Sequence, residues 1–228
     1  MSEKSKRINY DPAKAEADKA DEQIIAALQN GSSFRVEAGA GSGKTYSLNK
    51  AVEWIQANKW TEYHRKKQTV ACITYTNAAV DVIAERLSKD SFILPSTIHS
   101  FAWNAIKQYQ RYLIDVVTTD PDFLPNEGDS SKVAEVTYTL GNRYKENGIH
   151  YLYHDDVLKL FCQLLDNAKF RRMFADKYPL ILIDEYQDSY KPIIDRFIRF
   201  FISEKKGHNL ASLGMPSKPF TNPIRLVV

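Results

Sequence analysis

The segment Ala38–Thr45, with the sequence AGAGSGKT, has residue types that bind nucleotide phosphates. Glycines let backbone N–H groups converge on phosphate oxygens, and a helix beginning directly afterwards adds its positive N-terminal end. The Lys44 ammonium would reach the β and γ phosphates, and the Thr45 hydroxyl would hold Mg²⁺. We therefore predict a site for ATP and Mg²⁺ formed by Ala38, Gly39, Ala40, Gly41, Ser42, Gly43, Lys44 and Thr45.

A second candidate is the apolar run Leu180–Ile183, which is followed by two acidic residues, Asp184 and Glu185. Such a run predicts a buried strand that presents both carboxylates at its C-terminal edge, where open α/β sheets bind their ligands. Asp184 would hold Mg²⁺, and Glu185 would polarise the attacking water. A solvated strand end is the alternative, but the phosphate loop upstream favours the catalytic interpretation.

Alternating strands and helices must position these residues. The apolar and β-branched segments predict strands at 34–37, 68–75, 92–98 and 178–184. Helical patterns cover 11–29, 43–58, 78–88 (with Asn77 as its N-cap), 100–113, 131–147, 155–175 and 192–203. Residues 118–130 contain three Pro or Gly residues and predict a loop.

This alternation predicts a three-layer α/β fold with a parallel sheet and helices on both faces. The core domain comprises residues 11–103 and 176–205. Residues 104–175 hold too many helices for one crossover and are assigned to a helical insertion. Residues 1–10 are expected to be disordered, and residues 206–228 to form an aberrant or disordered tail.

Composition adds weaker constraints. The chain has 228 residues and a formal net charge of +3, which permits a nucleic-acid partner without arguing for one. Cys72 and Cys162 have no metal-ligand spacing and fit buried, reduced thiols. No apolar run is long enough to span a bilayer and no secretory signal is present, so we expect a cytoplasmic protein without a membrane partner.

The residues 184–189, DEYQDS, resemble motif II of the UvrD/Rep-type superfamily 1 DNA helicases. Ala38–Thr45 resembles motif I of that family, in which alanine is common at the first position. The resemblance implies a RecA-like P-loop NTPase fold and ATP hydrolysis coupled to DNA unwinding. It places Lys44, Asp184, Glu185 and Gln187 in the catalytic set.

Three further segments match the family in order. Gln23, 21 residues before Lys44, resembles the adenine-reading glutamine. Residues 74–77 resemble motif Ia and residues 96–101 resemble motif Ib, both of which contact single-stranded DNA in the family. The resemblance implies a DNA path formed by Thr74, Tyr75, Thr76, Asn77 and His99. A buried tyrosine and a capping histidine are the alternatives for Tyr75 and His99.

Motif III and a second RecA-like domain do not follow motif II in this reading frame. We expect that a one-base deletion near Gly214 changed the frame, because shifting residues 214–221 by one base can produce Gly-Asp-Ala-Phe-Gln-Thr-Ile-Tyr. Two hypotheses follow. The chain is the N-terminal part of a helicase, inactive alone, or it is a non-catalytic module that binds nucleotide and single-stranded DNA and needs a partner chain.

Overall fold

A computed structural model of the protein describes residues 12–33, 44–184, 189–202 and 225–227. The helices are α1 (Pro12–Asn30), α2 (Lys44–Arg65), α3 (Asn77–Ala84), α4 (Ile98–Ile106), α5 (Gln110–Thr119), α6 (Asp156–Asp166), α7 (Ala168–Lys177) and α8 (Lys191–Phe197). The strands are β1 (Val70–Thr74), β2 (Ile93–Thr97), β3 (Glu127–Gly128), β4 (Glu135–Tyr138), β5 (Tyr144–Glu146), β6 (Ile149–Leu152), β7 (Leu180–Ile183) and β8 (Arg225–Val227). A 3-10 turn (Pro121–Phe123) follows α5, and a π-helical turn (Ile198–Ile202) extends α8.

The large sheet contains four strands in the order β2-β1-β7-β8, and every pairing is parallel. Thr74 of β1 lies opposite Thr97 of β2, and Ile73 lies opposite Ile183 of β7. These three strands therefore end at one edge, here called the carboxyl edge. The strands predicted around residues 68–75, 92–98 and 178–184 are confirmed.

Alternate residues of the central strands pack against different helices. Val70, Cys72, Leu180 and Leu182 share a core with α1, α2 and α3. Ala71, Ile73, Ile181 and Ile183 point to the opposite face and share a core with α4, α6, α7 and α8. Because both faces of the sheet are covered by helices, the predicted three-layer α/β fold is confirmed. Among the described helices, none is long and apolar enough to cross a bilayer.

The helix predicted over residues 131–147 is wrong. This segment instead contributes to a small sheet with the strand order β3-β5-β6-β4. β5 and β6 pair antiparallel around Asn147 and Gly148, whose φ angles are 52° and 79°. Positive φ at both central residues defines the tight hairpin turn that Asn-Gly favours. The insertion is therefore partly a β-structure.

Two of the predicted helices are each divided in two. The first becomes α4 and α5, which extends into the segment predicted as a loop. The second is divided at Asn167, whose side chain accepts hydrogen bonds from the backbone N–H groups of Lys169 and Phe170 and so caps α7. α6 and α7 lie in the segment that the sequence predicts as the insertion, and they pack directly under the large sheet.

The two ends of the chain fall mostly outside the described residues, as does the strand predicted at 34–37. The disordered segment at residues 1–10 therefore stays a prediction. The aberrant or disordered tail also stays a prediction over most of residues 206–228. Residues 225–227 differ from the latter expectation, because they form β8 beside β7.

Candidate functional site

The start of α2 lies at the end of that helix remote from the beginning of the strands. The opposite end of α2 is tied to the beginning of the strands, where Gln68 donates its backbone N–H to the Tyr63 carbonyl and its side-chain Nε2 to the Asp176 carbonyl. A helix of 22 residues is about 33 Å long, so its first residues lie far from that end. Lys44 and Thr45 are those first residues. The predicted loop residues Ala38, Gly39, Ala40, Gly41, Ser42 and Gly43 lie outside the described part of the chain.

Asp21 holds α1 against the first turns of α2. This side chain is buried and accepts hydrogen bonds from Ser47 Oγ and Lys50 Nζ, each at 2.6 Å. Burial on its own raises the pKa of Asp21, but the bonds from Lys50 and Ser47 outweigh it and the pKa is lowered. Asp21 is therefore an ionised tie between the helices. Gln23 lies two residues further along α1 and is exposed beside this junction.

Tyr46 is a residue that sequence analysis missed. It directly follows Thr45 and is 61% exposed. The Lys50 ammonium lies 4.6 Å from the centre of its ring. Asp21 binds Lys50, and Lys50 contacts the Tyr46 ring. The contact that joins α1 to α2 therefore also helps to position an exposed aromatic ring at the start of α2. The available signal was an aromatic residue directly after the phosphate-loop motif.

Asp184 lies at the carboxyl edge, as predicted. Its backbone N–H donates to the Ile73 carbonyl of the neighbouring strand at 2.8 Å. Burial raises the pKa of the Cys72 thiol to about 12, and the negative charge of Asp184 adds to the increase. Asp184 therefore lies beside β1 as well as at the end of β7. Glu185 and Gln187 lie outside the described residues.

Residues 74–77, which begin with the last residue of β1, comprise one buried and three exposed residues. Thr74 is 1% exposed, and its hydroxyl donates to the Thr76 carbonyl at 3.2 Å. Tyr75 is 67% exposed, so the alternative of a core tyrosine is wrong. Thr76 caps α3, since its hydroxyl accepts from the Ala79 N–H at 3.2 Å. The predicted cap Asn77 is instead the first residue of that helix, and its side chain is exposed.

The segment that follows β2 lies beside it. Thr97 ends β2 and caps α4 by accepting a hydrogen bond from the Ser100 N–H. His99 is in the first turn of α4, so it is not the capping residue. Neighbouring strands are about 4.8 Å apart, so Thr74 and Thr97, paired across β1 and β2, bring the two segments together.

His99 is partly covered by a second imidazole. Its ring stacks on that of His154 with 3.6 Å between centroids and 18° between planes. Its Nε2 lies 3.5 Å from a carboxylate oxygen of Asp155. Burial lowers the pKa of His99 and the charge of His154 lowers it further, while Asp155 opposes both. Burial and the neighbouring imidazole thus favour the uncharged form of the His99 ring.

Comparison with known proteins supports the fold. Residues 21–214 match the family described as AAA domain. Gabija protein GajB of Bacillus cereus (strain HuB5-5) is 35% identical over 103 residues, which cover 45% of this chain and 15% of that protein. Gabija protein GajB of Bacillus cereus (strain VD045) is 29% identical over 194 residues, which cover 78% of this chain and 35% of that protein. The chain therefore spans about a third or less of these relatives.

Proposed function

Because the chain belongs to the AAA domain family of P-loop NTPases, we propose that it is the ATP-binding part of an ATP-dependent DNA helicase of the UvrD/Rep type. One observation carries the proposal. Three parallel strands end at a common edge, where they are followed by Asp184, by the exposed Tyr75 and by His99. A nucleotide site and a single-strand path can share such an edge because ligands bind at the carboxyl ends of parallel strands.

The residues at the start of α2 supply the phosphate site in this proposal. Lys44 neutralises the β and γ phosphates, and the helix N-terminus directs its N–H groups towards them. Thr45 and Asp184 are the oxygen ligands for Mg²⁺, which prefers such donors and neutralises charge on the phosphates when bound. Glu185 accepts a proton from the attacking water, and Gln187 completes the catalytic set that the motif implies.

We further propose that α1 and α2 together recognise the base. The Gln23 side chain offers a donor and an acceptor to the base edge. The Tyr46 ring, exposed and approached by the Lys50 ammonium, offers a face on which a base can stack. The Asp21 tie holds both residues in one place, since it joins α1 to Ser47 and Lys50.

Single-stranded DNA is the proposed partner at the carboxyl edge. Tyr75 stacks on a base, and Thr74, Thr76, Asn77 and His99 are assigned to the same path. Thr74 is buried, so its support is through the Thr76 carbonyl and not by direct contact with the strand.

Turnover and unwinding are proposed for the whole protein. In a helicase of this kind a second RecA-like domain closes on the nucleotide, and an arginine placed there is worth roughly 10³–10⁵ in rate. The matched region spans 35% of the longer-matched GajB relative, which leaves room for such a domain elsewhere. The same fact favours a second candidate: a non-catalytic nucleotide- and DNA-binding module that works with a partner chain. DNA-stimulated ATP hydrolysis by this chain alone, at a helicase-like rate, would exclude that second candidate.

Calorimetry with Mg²⁺-ATP tests the nucleotide site. We expect binding by the wild-type chain and loss of binding in Lys44→Ala, because the Lys44 ammonium is the proposed phosphate contact. Lys59→Ala is the matched control, because it changes the same residue type on the same helix, about 22 Å away. Equal binding by all three chains would refute the assignment of the phosphate site.

A further inference from the structure

Four aromatic residues connect α4 to the insertion. His99 stacks on His154, His154 lies 5.9 Å from Tyr138, and Tyr138 lies 5.3 Å from Trp103. Trp103 is on α4, four residues after His99, so both rings lie on the same face of that helix. Tyr138 belongs to β4, and His154 follows β6. The small sheet therefore contacts α4 at two points one turn apart.

The other side of α4 is fixed to the large sheet. Thr97, the last residue of β2, caps the helix, and Phe101 and Ala102 are fully buried beneath it. His99 lies two residues beyond the end of β2, with core packing on one side and His154 on the other. The position of the His99 ring therefore depends on the insertion as well as on the sheet.

Ring packing, and not hydrogen bonding, holds the pair of histidines. In the described part of the chain, His99 Nε2 and His154 Nδ1 are buried without a hydrogen-bond partner. The Asp155 oxygen, 3.5 Å from His99 Nε2, is at the limit of hydrogen-bond distance. An aromatic ring without nitrogen atoms could consequently replace His154 and keep the stack.

We propose that His154 is a positioning residue for the single-strand path. It holds the His99 ring at the carboxyl edge, so the insertion determines how His99 meets DNA. The proposal rests on the proposed function, because it takes His99 as a DNA contact. His154 touches His99 and need not touch the strand itself.

The experiment measures binding of a fluorescent single-stranded oligonucleotide to the full chain by anisotropy at fixed salt. We expect His99→Ala and His154→Ala each to weaken binding by roughly two- to tenfold, the range of one lost hydrogen bond. The double variant should be no weaker than His99→Ala, since both changes remove the same contact. His154→Phe should bind as the wild type does. His64→Ala is the control, because its ring stacks on Trp60 at 4.4 Å on the exposed end of α2.

Unchanged binding in His154→Ala, together with weaker binding in His99→Ala, would overturn the proposal. Equally weak binding in His154→Phe and His154→Ala would also overturn it, because an aromatic ring at position 154 would then not have restored DNA binding. A second measurement needs no DNA: NMR titration of the His99 ring in the wild type and in His154→Phe. Burial, the larger cause of the lowered His99 pKa, is kept by Phe, so the pKa of His99 should rise only by the part that the charge of His154 contributes. An unchanged pKa would count against the contact between the two rings. A chain that shows the NMR effect but does not bind DNA would refute the proposed function, and the positioning role with it.

Discussion

Replacing Asp156 by alanine should destabilise the fold more than any exposed charge removal. Asp156 is at the start of α6, and its carboxylate is fully buried. It accepts bonds from Arg143 Nε and Nη2 at 2.5 and 2.6 Å, and from the Tyr153 backbone N–H at 3.0 Å. These contacts join Arg143, the residue before β5, to the turn after β6. That turn contains His154.

The size of the stability loss in Asp156→Ala depends on the Arg143 charge, which stays partly buried without its partner. Removing one partner of a buried ion pair costs about 3–5 kcal/mol, because the other charge stays buried without compensation. The Arg143 side chain is 18% exposed, so it can regain some hydration. We therefore expect a loss of about 3 kcal/mol in the free energy of unfolding, the lower end of that range.

Urea unfolding followed by far-UV circular dichroism measures this loss. With a slope of about 1–3 kcal/mol per molar urea, the midpoint should fall by about 1–3 M. Asp195→Ala is the matched control, since its ion pair with Lys191 is exposed and worth about 0–1 kcal/mol. Replacing both Arg143 and Asp156 by apolar residues should recover much of the loss. Equal midpoints for Asp156→Ala and Asp195→Ala would refute the reasoning.

Three further predictions concern other parts of the molecule. Tyr75→Ala should weaken single-strand binding by about 1–3 kcal/mol, measured by anisotropy, without lowering the thermal midpoint, because the ring is 67% exposed; a lost thermal transition would contradict this. Gly148→Ala should lower the thermal midpoint, because φ there is +79° and an added Cβ would lie 3.1 Å from the Lys132 carbonyl oxygen; an unchanged midpoint would count against the hairpin. Cys72 and Cys162 should resist a thiol reagent at pH 8 until urea is added, because burial raises their pKa values to about 12 and about 11 and leaves little thiolate; rapid labelling of the native chain would contradict this burial.

The sequence was sufficient for three strands of the large sheet, β1, β2 and β7, and for the order of the motifs that follow them, but not for β8. Residues 70–73 and 180–183 are apolar on both faces, a pattern typical of a buried parallel strand. Asp184 follows such a strand, so its position at the carboxyl edge could be inferred without any knowledge of tertiary contacts.

The small sheet could not be found in the same way. Its strands have two to four residues. β4 pairs with β6, although β5 lies between them in the sequence. Short strands have little periodicity, and their partners are set by packing. One local signal was available, namely Asn147-Gly148, because this pair favours a hairpin turn.

The sequence by itself determined which residue types stand at the ends of the strands, since those depend on local pattern. Only the tertiary structure decided which side chains meet there. Asp21 reaches Lys50 across 29 residues, and His99 meets His154 across 55. Such contacts depend on how helices dock on a sheet, which follows from burial of many apolar side chains at once and not from any short segment.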